Sequence, residues 1–273
     1  MDDSYEKQAD RVIRTLKHDS WHGFVDWVIN SAKGTEELYR GQRQDWDLLP
    51  RIVRTARQRG ISDVHSTARD HLEAFRYAIR GRGGIEEFAH QDEDGLWALG
   101  QHFGLDTVLL DWTLSPFVAL YFALEEADQE PLDRPRCVYQ LFHVGAVKNM
   151  SVHTDKFKKL VSDLSEAISP IVMDDIRNLQ RVLRVVQPLA HANPRLVAQR
   201  AVSLTWNLGH TLEQVIKENW KSNDLVMIKH LIPSDDRIKC LHCLDLMNIN
   251  AGTLFPDIQG AVKYCNFKLA NDV

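Results

Sequence analysis

Residues 101–127 read QHFGLDTVLLDWTLSPFVALYFALEEA. This stretch decides the fold because its character changes twice. Val108-Leu109-Leu110 is uniformly apolar, the pattern of a buried strand. Ser115-Pro116 then opens an apolar helix running through Leu124, with proline early, where its missing N–H does no harm. Asp111, Trp112 and Thr113 lie between the two. A packing junction needs no carboxylate, and in open sheets the crevice at strand ends is where ligands bind. The structural alternative is a cap: Thr113 or Ser115 can cap the helix, and Asp111 can orient a loop. His102 reads either as a satisfied core histidine or as a ligand contact.

Outward from that stretch, EDGLWALGQHFG reads as a helix stopped by Gly104. An amphipathic helix precedes it, from His65 to the glycines at 81–84. Glu37 to Gly41 reads as a short strand leaving into a polar loop with Trp46 and Pro50. Residues 5–30 carry apolar positions such as Val12, Ile13, Leu16, Phe24 and Val28 at broadly helical spacing, with Gly23 as a break between two helices. On the other side, Arg136 to His143 alternates as a strand. Residues 156–172 and 174–186 read as helices. Ala201 to Leu204 and Leu225 to Ile232 read as strands, and Thr211 caps a helix to Trp220. A helix follows Pro233, with Ser234 or Asp235 as its cap, and a last one follows Pro256. There is no internal repeat and no credible linker. The expectation is one α+β domain with flanking helices, preceded by a helical lead-in over residues 1–35.

The chain has 273 residues, 44% of them apolar, and a net charge of −5. That is enough for a proper core and too acidic overall for a whole-chain field that gathers nucleic acid. The polar opening MDDSYEKQAD carries no secretory signal, and no apolar run approaches the roughly 18 residues of a membrane span, so a cytoplasmic protein is expected. Cys240-Leu-His-Cys243 has the spacing of a zinc or redox pair. It lacks a second ligand pair and sits in the helical pattern IKCLHCLDLMNI, so both cysteines read as small apolar packing residues and no metal is expected.

Three clusters carry candidate chemistry. In the first, Tyr39-Arg40-Gly41-Gln42 with Trp46 and Arg51 puts an arginine fork at a strand end, suited to phosphate or carboxylate or to an ordinary surface ion pair. Gly41 lets the backbone bend or a ligand approach. The second is the opening stretch. In the third, NPRLVAQ at 193–199, Gln199 can bond a ligand hydroxyl or a loop backbone. Phosphate-binding glycine loops, H-E-x-x-H and G-x-S-x-G are absent.

The order of these clusters resembles the FRG domain, named for its aromatic-Arg-Gly signature. The matching pieces are Tyr39-Arg40-Gly41-Gln42, QHFGLDTVLLDWTLSPFVALYFA, NPRLVAQ and INAGTLFPDIQGAVKY, which implies an FRG domain over residues 36–273. FRG domains look like distant relatives of the ADP-ribosyltransferase fold and occur in bacterial and phage proteins. The resemblance implies a central, mostly antiparallel split sheet with flanking helices, and NAD as a substrate. By that analogy Tyr39, Arg40, Gly41 and Gln42 hold the dinucleotide, with Arg40 on its diphosphate. Thr113 or Ser115 lines the nicotinamide pocket, Tyr121 and Phe122 sit in or beneath it, and His102 is a further contact to the cofactor. Arg40, Asp111, Thr113 and Gln199 are the implied catalytic group. Gln199 stands where many transferases carry glutamate, and a neutral amide cannot act as a base, so Asp111 is expected to supply the charge. The implied activity is transfer to a protein or nucleic-acid acceptor by a toxin or antiphage effector, with an antitoxin or defence partner. A module that binds a nucleotide or nucleic acid without turnover, using Arg40, Arg43, Arg51 and Trp46, is the alternative.

Overall fold

Strand β1 (Ile13–Lys17) lies at one edge of a sheet whose other edge is β5 (Leu183–Val186). The computed structural model describes residues 11–31, 37–82, 92–127, 134–142, 182–186, 194–222 and 224–271. Between the edges, β2 (Leu38–Gln42), β3 (Leu110–Thr113), β4 (Arg136–Leu141), β6 (Ala201–Trp206) and β7 (Met227–Ile232) complete a seven-stranded open sheet in the order β1-β7-β4-β2-β3-β6-β5. Only the β1–β7 pair is parallel. The fold is α+β, with ten helices around the sheet among the described residues.

The helices follow ordinary local rules. They are α1 (Trp21–Ser31), α2 (Arg51–Gln58), α3 (Val64–Ala78), α4 (Glu93–His102), α5 (Pro116–Leu124), α6 (Pro194–Ala198), α7 (Leu212–Asn219), α8 (Arg237–Leu246), α9 (Ala251–Leu254) and α10 (Ile258–Asn271). Asp63 and Asp92 cap α3 and α4 by accepting from the amides of Ser66 and Gly95, both at 2.9 Å. Thr211 caps α7 in a reciprocal box with Gln214. Ser115 caps α5 through the amide of Val118, and Pro116 opens that helix.

One face of the sheet packs Leu110, Trp112, Val202, Leu204 and Trp206 against α7 and Trp220. The other packs Tyr39, Val138 and Ile232 against α1, α5 and α8. A third cluster joins α2, α3 and α4 to Val108 and Leu109. Helix α5 lies directly on β2. A Cβ on Gly41 would collide with the carbonyl oxygen of Ala119 and stand 2.6 Å from the amide nitrogen of Ala123. The glycine is there for this helix contact.

Four expectations need correction. Residues 13–17 form a strand, because pairing with β7 overrides the helical spacing of Val12, Ile13 and Leu16. Gly23 lies inside α1, and the break falls at residues 18–20. Residues 183–186 are strand β5, paired with β6; the rest of the expected 174–186 helix, apart from Val182, and all of the 156–172 helix lie outside the described residues. Helix α8 begins at Arg237, and its N-cap Asp236 makes no side-chain cap bond. The strands form one central, mostly antiparallel sheet, as expected. At β2–β3 the ladder is reduced to the single register pair Tyr39↔Thr113, against five pairs between β2 and β4. There the strands diverge, and a cavity opens. No helix among the described residues is long and apolar enough to cross a membrane.

Candidate functional site

The cavity at this divergence has a volume of about 420 Å³. Its strand walls come from the end of β2, from β3 and from β6, and its rim from α2, α4, α5, α6 and the segment before α10. Tyr39, Arg40, Gly41 and Gln42 line it, as do His102, Asp111, Thr113, Phe122 and Gln199. Ser115 and Tyr121 do not. Ser115 caps α5, and Tyr121 is buried in the core, where burial first and then the neighbouring Glu125 raise its pKa.

Arg40 is half-buried, and its Nη1 donates to the main-chain oxygen of Asp111 at 2.6 Å. Its Nε donates to Gln42 Oε1 at 3.4 Å. Burial lowers its pKa to about 10; nearby Asp111 opposes the fall and the Arg54 cation adds to it. Arg40 therefore stays charged at neutral pH. Arg54, on α2, lines the same cavity, and burial followed by Arg51 lowers its pKa too. The carboxylate near it, Asp106, is already held by Arg51 and by Thr55, both at 2.6 Å. Among the described residues neither Arg40 nor Arg54 makes an ion pair with a carboxylate. Two cations that repel each other across an open cavity form an anion site.

Asp111 is exposed, and one carboxylate oxygen accepts from the hydroxyl of buried Ser203 at 2.8 Å. Its placement follows from strand alternation: Leu110 and Trp112 face the core, so Asp111 and Thr113 face the cavity side. Thr113 is buried. Its hydroxyl donates to the main-chain oxygen of Gln199 at 2.6 Å and accepts from the Ser115 amide at 3.0 Å. The Gln199 amide donates to the Leu254 carbonyl at 3.0 Å. These two side chains tie β3, the turn after α6 and α9 together.

Arg54, Arg195, Glu125, Glu126, Ser203 and Phe255 line the cavity but stand outside the expected set. Arg54 follows the apolar face of α2 (Ile52, Val53, Ala56), and spacing alone does not say where that helix docks. Phe255 and Asp257 lie in the quoted LFPDIQG. Phe255 packs edge-to-face on Phe122 at 6.0 Å. Asp257 accepts from the Gly260 amide at 3.0 Å and from Arg195 Nε at 2.6 Å, closing one wall. Burial, then the Arg195 charge, lowers the pKa of His102. Burial raises that of Glu125, against the Lys263 ammonium at 2.7 Å.

The family model of the FRG domain matches residues 35–131. This segment is an FRG domain. It supplies Tyr39 to Gln42, Arg54, His102, Asp111 and Phe122, while Arg195, Gln199, Ser203 and Phe255 reach the FRG cavity from beyond the matched residues. No curated protein and no solved structure matches the chain. Elsewhere, Cys240 is buried in α8 and burial pushes its thiol up to about 12, in keeping with a packing role.

Proposed function

We propose that the cavity binds NAD and that the protein is an ADP-ribosyltransferase-like enzyme. The observation that carries this reading is the pair of guanidiniums, Arg40 and Arg54, charged and without carboxylate partners among the described residues, on one cavity with Asp111. A diphosphate neutralises such a pair by bidentate hydrogen bonds. The resemblance of FRG domains to the transferase fold agrees with it, and the short β2–β3 ladder leaves room for a ligand between the two strands. In the transfer, the glycosidic bond between ribose C1′ and the nicotinamide nitrogen breaks, and nicotinamide leaves with the electron pair. Asp111 stabilises the positive charge that develops on the ribose. An acceptor atom then bonds to C1′ and gives up its proton to Asp111 or to water. The acceptor is a protein or a nucleic acid, and a toxin or defence role suits such an enzyme.

A second reading, binding without turnover, has its own support. Thr113 and Gln199 are committed to holding loops, so Asp111 alone of the expected group offers a carboxylate. One experiment separates the two. The protein is incubated with NAD and fractionated cell lysate, and released nicotinamide is measured. The enzyme reading expects release that falls about 100-fold in Asp111→Asn, the size of loss seen when a charge-stabilising group is removed. Intact NAD with every fraction, at unchanged thermal stability, leaves only the binding reading.

A further inference from the structure

Trp46 lines the cavity yet keeps 44% of its surface exposed. The phosphate site makes no use of it. Its loop is not loose. Buried Gln42 donates its side-chain amide to the Trp46 carbonyl at 2.9 Å. The hydroxyl of Tyr139, a fully buried residue, shares its proton between that carbonyl at 2.8 Å and an Asp45 carboxylate oxygen at 2.9 Å. Lys229 holds the same carboxylate oxygen at 2.6 Å, and buried Arg136 donates to the Arg43 carbonyl at 3.4 Å. Burying polar groups is unfavourable unless they are bonded, and here several converge on one short loop to fix an indole in the open. An aromatic surface immobilised before the ligand arrives loses little entropy on binding.

Arg43 stacks on the indole, its guanidinium carbon 5.5 Å from the ring centroid, and is itself held by Glu126 at 3.4 Å. An indole has two faces, and Arg43 takes one. A flat aromatic surface and an anion site on one cavity call for a ligand with a flat ring and a phosphate.

We propose that Trp46 is the base-stacking surface for a nucleotide whose phosphates lie at Arg40 and Arg54. This rests on the phosphate reading of the cavity. It deepens that reading by assigning the end of the ligand that stays near solvent. The base lies at the mouth, over Trp46, and the phosphates lie inward.

The test is calorimetric titration of the full chain with ADP-ribose, ribose 5-phosphate and inorganic pyrophosphate, in wild type, Trp46→Ala and Trp46→Phe. A stacked base is worth about 5- to 150-fold in affinity. Trp46→Ala should weaken ADP-ribose by about that factor and leave pyrophosphate within about twofold, and Trp46→Phe should restore most of the loss. Equal ADP-ribose affinity in wild type and Trp46→Ala, with pyrophosphate still bound, overturns the base subsite alone. No pyrophosphate binding to wild type overturns the phosphate reading and the subsite with it. A short single-stranded oligonucleotide that binds through Trp46 while ADP-ribose does not would overturn the assignment to a free nucleotide.

Discussion

Gly41 shows how far a single residue could be read. The sequence marks it as a special position, and it is one, but the reason lies in a helix eighty residues away. Its missing side chain makes room for the backbone of α5 at Ala119 and Ala123. Gly41→Ala therefore pushes α5 off β2, with a loss of at least about 1–3 kcal/mol, the range for overpacking. Chemical denaturation measures it, and an unchanged midpoint contradicts the contact. Arg40 and Asp111 were legible because each is a charged side chain at the end of an expected strand, and both line the cavity. Thr113 and Gln199 were legible as positions. Their hydroxyl and amide, however, are used by neighbouring main-chain oxygens, a choice between ligand and loop that spacing cannot make.

At the scale of elements, most helices could be read because their apolar spacing and caps agree, as in α4, α5 and α7. Strand β1 could not. Its five residues alternate poorly, and what makes them a strand is β7, more than two hundred residues later. The same junction carries a pH dependence. His18 Nε2 lies 2.9 Å from His230 Nδ1, and His230 Nε2 lies 2.9 Å from Gln140 Oε1. The amide oxygen only accepts, so His230 carries its proton on Nε2 and its Nδ1 accepts from His18. Burial lowers both pKa values, that of His230 to about 3.

Both rings are thus neutral in the fold, while unfolded histidines take up protons below about 6.5. The unfolded chain binds more protons, so stability falls as pH falls from about 6.5, by about 2 kcal/mol between pH 6.5 and 5 for His230 alone. Burial raises the pKa values of Glu125 and Glu213, which act in the opposite sense and return part of the loss as they protonate. Unfolding free energies at pH 7 and pH 5 should show the drop in wild type and a smaller one in His230→Asn. A flat wild-type profile contradicts it.

On the scale of the whole molecule, the α+β class, the strands β2, β4, β6 and β7, and the FRG segment were all legible. The order of the strands in the sheet was not, because pairings such as β1 with β7 join residues more than two hundred positions apart. The cavity is likewise a tertiary fact. Arg54 enters it from α2 and Phe255 from beyond α9, and neither element announces where it will dock. The chain carries a net charge of −5, so its attraction for an anionic ligand is local, set by the guanidiniums of this cavity. If the reading is right, Arg40 and Arg54 together hold a nucleotide diphosphate. The most direct measurement is a crystal structure of the protein with ADP-ribose. Diphosphate density is expected within hydrogen-bond reach of both guanidiniums, beside Asp111. Density elsewhere on the molecule, or an empty cavity at saturating ligand, would contradict it.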